Sequence, residues 1–132
     1  MGVRELPGAL GAPGITAYED LPQARMHAEL ARRRVYLHPF RWTSLGLSLI
    51  EAMHLGMPVV ALAATEAAEA IPPGAGVVST RKDYLRDVIR TLLADPQAAA
   101  GMGKLAREAA LARYGLTRFL ADWDRLLAQV VR

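Results

Sequence analysis

In the stretch RWTSLGLSLIEAMHLGMPVVAL, Arg41 to Leu62, one carboxylate stands among apolar neighbours. Glu51 is surrounded by Leu49, Ile50, Ala52 and Met53, and a Val-rich run follows. A buried charge without a partner is costly or shifts its pKa. Two kinds of partner are open to it. His54 lies three residues on, within reach on a helix. Alternatively, a ligand supplies the partners. Helical spacing puts Ser44, Ser48, Glu51 and Leu55 on roughly one face. Gly46 opens that helix, whose first N–H groups have no acceptor within it. The layout suits a nucleotide, with its diphosphate at the helix end and its ribose hydroxyls on the carboxylate.

Other chemistries fit less well. Glu51-Ala52-Met53-His54 is a single Glu-x-x-His, whereas carboxylate-bridged metal bundles need two, with further carboxylates. A Ser-His-Asp triad lacks its Gly-x-Ser-x-Gly turn. There is no cysteine, which excludes disulfides, thiolate metal sites and a thiol nucleophile. His27 and His38 have no partner pattern and read as surface or packing residues. Arg32, Arg33 and Arg34 read as cations at a helix C-terminus rather than as a phosphate or nucleic-acid patch. Gly8, Gly11 and Gly14 recur every third residue with no strand before them, so they are no dinucleotide fingerprint.

The elements that must position Glu51 follow from the punctuation. Residues 1–14 read as loop, and Ile15–Tyr18 as a short strand. A helix is expected over Leu21–Arg33, with Asp20 as N-cap and Pro22 in the first turn. Val35–His38 is a buried strand stopped by Pro39. Phe40–Ser44 is a loop, Leu45–Leu55 a helix closed by Gly56 and Pro58, and Pro58–Leu62 the next buried strand. Strand, helix and strand at this spacing make a β-α-β unit with parallel strands. A short helical turn over Ala64–Ile71 and a third strand over Gly76–Ser79 follow. Tyr84, Leu85, Val88, Ile89, Leu92 and Leu93 form a helical stripe, ended by Asp95-Pro96. An Ala-rich helix spans Gln97–Arg113. A last helix carries Phe119, Leu120, Trp123, Leu126, Leu127, Val130 and Val131 on one face, for core packing or docking onto a neighbour.

The expected whole is one α/β domain of 132 residues. It divides into a 1–14 loop, a 15–79 β/α core and 80–132 helices. Its 52% hydrophobic and 22% charged residues are those of a globular chain. The net charge of +3 permits anions without arguing for nucleic acid or membrane. No apolar run approaches the roughly 18 residues of a membrane span. The start lacks the apolar core of a signal peptide and has Leu6 where myristoylation needs Ser or Thr, so the cytoplasm is expected. Parallel sheets bind ligands beyond their strand carboxyl ends. Two connections, His38–Ser44 and Ala63–Ile71, leave such ends and should be neighbours.

VYLHPFRWTSLGLSLIEAMHLGMPVVAL, residues 35–62, resembles the donor-binding half of retaining glycosyltransferases of the GT-B fold. These family-4-type, or group 1, enzymes carry a signature like Glu-Gly-Phe-Gly-Leu…Glu-Ala-Met-Ala…Gly-x-Pro-Val-Val-Ala. The likeness continues loosely through Glu69, the segment Gly74–Val78 and the helix Asp83–Pro96. MGKLAREAALARYGLTRFLADWDRLL also resembles the family's C-terminal helices. The resemblance implies a Rossmann-like parallel sheet with flanking helices, the C-terminal domain of a GT-B enzyme. It further implies a nucleotide-sugar donor, an acceptor that is not specified, and no metal cofactor. Of the family's paired glutamates, the second matches Glu51 and would bind ribose. The first, which contacts the donor sugar, is replaced by Thr43, and the glycine after it by Ser44. Gly46, Leu47 and Ser48 match the segment facing the diphosphate and sugar. Thr65 and Glu66 stand where many relatives have two glycines, and Glu69 matches an acidic residue that often follows. The family's upstream strands and acceptor domain have no counterpart in this sequence. The expectation is therefore a domain truncated at its N-terminus, inactive alone. It should self-associate or bind a partner chain that supplies the missing strands, unless Ile15–Tyr18 moves in beside Val35–His38.

Overall fold

A computed structural model of the chain describes residues 4–5 and 13–131. Three parallel strands make the sheet: β3 (Tyr36–His38), β4 (Val59–Leu62) and β5 (Gly76–Ser79), in that order. They are preceded by β1 (Arg4–Glu5), β2 (Tyr18–Glu19) and helix α1 (Gln23–Ala31). Helix α2 (Leu47–His54) links β3 to β4, and α3 (Ala67–Ala70) links β4 to β5. Helices α4 (Lys82–Ala94), α5 (Pro96–Tyr114) and α6 (Leu116–Val130) complete the chain. The Rossmann-like α/β architecture is thus as expected, with each predicted parallel strand within a residue of its place.

Strand β4 lies at the centre because its Val-Val-Ala run is apolar toward both faces. Val59 and Ala61 pack with Leu49 and Met53 of α2 and with Ala106 and Ala110 of α5. Val60 faces the other way, onto Leu85 and Leu92 of α4. The register pairs Tyr36 with Val59, Leu37 with Val60 and His38 with Ala61. Alternation therefore turns Tyr36 and His38 toward α2 and Leu37 toward α4. Leu37 is half exposed there, over a groove of about 540 Å³ that it lines with Leu62, Leu85 and Ile89.

Two terminations fix α2 and α5 against one another. Gly56, at φ 74°, ends α2 in a Schellman turn: Gly56 N–H donates to the Met53 carbonyl and Met57 N–H to that of Ala52, both at 3.0 Å. At Gly103 of α5 a Cβ would run into the Gly56 carbonyl oxygen, so the glycine at 103 permits the contact, while Gly56 is required by its positive φ. Asp95 caps α5, its carboxylate accepting from Gln97 and Ala98 N–H at 3.0 Å each. The helix before it ends at Ala94, at the Asp95-Pro96 break as expected, and Pro96 is the first residue of α5.

The N-terminal part departs from expectation. Residues 1–3 and 6–12 lie outside the described residues, but Arg4–Glu5 is strand rather than loop. It pairs antiparallel with Tyr18–Glu19, so the strand expected at Ile15–Tyr18 sits later and does not join β3. Among the described residues, no strand lies beyond β3 on its free edge. Asp20 is not the N-cap of α1. Its backbone is left-handed, at φ 54°, and Pro22 takes the cap position. Helix α6 buries none of its residues, and Phe119, Trp123 and Leu127 each remain about half exposed. Its apolar face is therefore not core packing within this chain.

Candidate functional site

The site grows from the turn after β3. The chain passes from His38 through Pro39–Leu45 and enters α2 with Gly46 as N-cap. No side chain caps that helix, so the leading N–H groups of α2 point out beyond the carboxyl end of the sheet. The second connection lies alongside: the Thr65 hydroxyl donates to the Ser44 carbonyl at 2.9 Å. The two loops are neighbours, as the topology requires.

Glu51 projects from α2 toward α1. Its Oε1 accepts from His27 Nε2 at 3.0 Å and from Gln23 Nε2 at 3.3 Å. The expected alternative, pairing with His54, does not form. His54 Nδ1 instead lies 3.0 Å from the Ile50 carbonyl, one turn back along α2. His27 is correspondingly more than a surface or packing residue, because it provides the main partner for Glu51. The hydrogen bond from His27 holds the Glu51 carboxyl below the ordinary carboxylate range, against the opposing effect of partial burial. Both contacts fall on Oε1; Oε2 has no hydrogen-bond partner among the described residues. One carboxylate oxygen is held by the protein and the other is left over.

The remaining sequence-chosen residues distribute around the helix end. Ser48 Oγ accepts from the Tyr36 hydroxyl at 2.9 Å, which ties α2 to β3. Leu47 is 80% exposed at the first turn, so its contribution there is backbone rather than side chain. Thr43 is half-buried in the loop, with no side-chain hydrogen bond among the described residues, and Ser44 is exposed. Thr65 has a left-handed backbone at φ 49°, a conformation natural to glycine. Glu66 is exposed at the start of α3 and takes no described ion pair, whereas Glu69 binds Arg113 at 2.5 Å. The arginine run is structural. Arg32 and Arg33 reach Glu29, and Arg34 donates to the Leu93 carbonyl at the end of α4. No three His, Asp or Glu side chains gather among the described residues.

Tyr36 and His38, like His27 and Gln23, make contacts that the sequence does not announce: spacing alone reads Tyr36 only as a strand residue and His38 as a surface or packing residue. His38 is 3% exposed, and its ring meets Tyr36 and Phe40 at 5.9 and 4.9 Å between centroids. Burial lowers its pKa, which favours the neutral imidazole. The available signal was strand parity: β3 turns residues 36 and 38 toward the same helix that carries Glu51.

Three parallel strands flanked by helices define a Rossmann-like fold, in which the open N-terminus of α2 and the carboxylate of Glu51 make a candidate site. The family model described as glycosyl transferases group 1 matches residues 10–109, and the chain belongs to that family. No curated protein matches the sequence. Among the described residues, no helix is long and apolar enough to cross a membrane.

Proposed function

We propose that this domain binds a nucleotide-sugar for transfer of the sugar to an acceptor, without a metal ion. The diphosphate lies on the free N–H groups of Gly46, Leu47 and Ser48. The ribose hydroxyls donate to Oε2 of Glu51. The observation that carries this reading is the conjunction on one short helix of an uncapped N-terminus and, a turn below, a carboxylate with one oxygen unused. Thr43 and Ser44 border the sugar, and Thr65 and Glu66 form the opposite rim. Transfer needs further structure to hold the acceptor and to continue the sheet at the open edge of β3.

A second reading is a nucleotide-binding or regulatory module without transfer activity. It is favoured by Thr43, whose hydroxyl cannot supply the charge of the glutamate that its position holds in the resembled motif. Calorimetric titration with UDP, GDP and their sugar conjugates, beside a donor-hydrolysis and transfer assay, separates the two. Binding with turnover supports the first reading and binding without turnover the second. Absence of binding overturns both.

A further inference from the structure

His38 ends β3 directly beneath the N-terminus of α2. The Cε1–Nε2 edge of its ring faces Gly46: a Cβ on that glycine would stand 2.9 Å from Cε1 and 3.5 Å from Nε2. Glycine at the N-cap is thus what lets the ring approach the helix end. On its other side, Nδ1 lies 3.4 Å from the Tyr36 hydroxyl, which donates to Ser48 Oγ at 2.9 Å. Nε2 has no hydrogen-bond partner among the described residues, although the residue is 3% exposed. Among the described residues, no buried side-chain nitrogen or oxygen is both fully enclosed and unbonded, so Nε2 remains within reach of a small group.

Proton counting then sets the polarity of the cluster. A neutral imidazole carries one N–H and one lone pair. The hydroxyl proton of Tyr36 is committed to Ser48, so toward His38 its oxygen can only accept. The His38 proton therefore sits on Nδ1 and the lone pair on Nε2. Ser48 Oγ, already accepting from Tyr36, keeps its own proton to donate outward. The chain runs from Nδ1–H to the tyrosine hydroxyl, to the serine hydroxyl, and out beside the backbone N–H groups of α2. Its two free ends are of opposite kind: a hydroxyl donor and a nitrogen acceptor.

We propose that His38 is a donor-sugar contact, its Nε2 accepting a sugar hydroxyl while Ser48 Oγ–H donates to the adjoining phosphate, with Tyr36 as the positioning residue that fixes both polarities. This rests on the nucleotide-sugar reading above and adds to it a residue that recognises the sugar rather than the nucleotide.

The test uses the full chain with ¹⁵N-labelled histidine. Long-range ¹H–¹⁵N correlation spectra are recorded during titration with UDP, GDP, UDP-glucose and GDP-mannose. The expected free state has the His38 proton on Nδ1 and an unprotonated Nε2. Saturation with the sugar conjugate that binds shifts the Nε2 resonance toward the hydrogen-bonded range, and the matching nucleotide alone leaves it in place. Tyr36→Phe is expected to mix the tautomers. His38→Phe is expected to lower affinity for the sugar conjugate by about tenfold, as for a lost hydrogen bond, while affinity for the bare nucleotide stays within about twofold. A proton on Nε2 in the free chain, or saturation by a sugar conjugate without movement of Nε2, overturns the inference. If the nucleotide binds in a Glu51-dependent way while His38 stays silent, only this inference falls. If none of the four probes binds, the nucleotide-sugar reading falls with it.

Discussion

Replacing Glu51 by glutamine tests the site with little disturbance of the fold. The reason lies in how the carboxylate is used. His27 and Gln23 both donate to Oε1. A glutamine side chain can keep its carbonyl oxygen on that side and preserve the link between α1 and α2. Its amide nitrogen then replaces Oε2, the atom left for the ligand. An acceptor becomes a donor and the charge disappears, so the ribose hydroxyls lose their partner. A hydrogen bond to a charged group contributes about 1.5–3 kcal/mol. The expected loss in affinity is therefore roughly 10- to 150-fold in Kd. Calorimetry with the nucleotide that binds the parent chain measures it, and thermal melting at pH 7 monitors the fold. Unchanged affinity in a folded Glu51→Gln chain would refute the placement of ribose on this carboxylate. Loss of folding with the substitution would instead show that the hydrogen bond with His27 is chiefly structural. His27→Ala, which removes the partner and leaves the carboxylate, then distinguishes the cases.

Acid should weaken the same contact. The folded Glu51 carboxyl titrates below its ordinary value of 4.5, so its contribution to stability is full above that value and is lost as pH falls through the folded pKa. Melting temperatures from pH 6 to pH 3 should fall less steeply for Glu51→Gln than for the parent, and parallel curves would contradict the shift. Gly103→Ala should destabilise the fold by about 1–3 kcal/mol through overpacking against the Gly56 carbonyl, seen as a lower urea midpoint; an unmoved midpoint would show that α2 and α5 separate without cost. The edge of β3, which no strand covers among the described residues, the groove at Leu37 and the apolar row of α6 should make the isolated chain self-associate as concentration rises. Light scattering that reports a monomer at all concentrations would refute this.

The sheet was legible because its signals are local and redundant. Short apolar runs bounded by Pro39, Gly56-Met57-Pro58 and Pro72-Pro73-Gly74 leave little choice of strand, and the helix between the first two makes them parallel. Glu51 stood out for its apolar neighbours, but its partner did not. His54 is near in sequence, whereas His27 comes from another helix, and the packing of α1 on α2 cannot be read from spacing. The same holds for Arg34 on the Leu93 carbonyl, a contact between residues far apart in the chain. Strand β1 was missed because two residues of a Gly/Pro-rich stretch carry no periodic pattern. Asp20 misled for a different reason: Asp favours both N-caps and left-handed turns, and here the turn prevails. The face of α6 stays open between core packing and docking onto a neighbour in the sequence because amphipathic spacing reports a buried face without saying what buries it.

Thr65 shows how the two rims of the site are joined. A β-branched residue with positive φ carries strain of about 1–3 kcal/mol. Its hydroxyl bond to the Ser44 carbonyl returns only about 0.5–1.5 kcal/mol. The bond alone therefore does not hold the conformation. What fixes it is the burial that follows: Ala67, Ala70 and Ile71 are all at least 95% buried, and they place α3 immediately after the turn. The turn must reverse the chain within a few residues of β4 to make that packing possible. Many relatives in the resembled family have glycine here, which meets the requirement without strain. This chain meets it with threonine and gains a side chain that ties the loop after β4 to the loop after β3. That tie lies one residue from Thr43, the position where the resembled motif has its sugar-contacting glutamate. The Thr65–Ser44 bond couples the β4–α3 turn to the segment that enters α2.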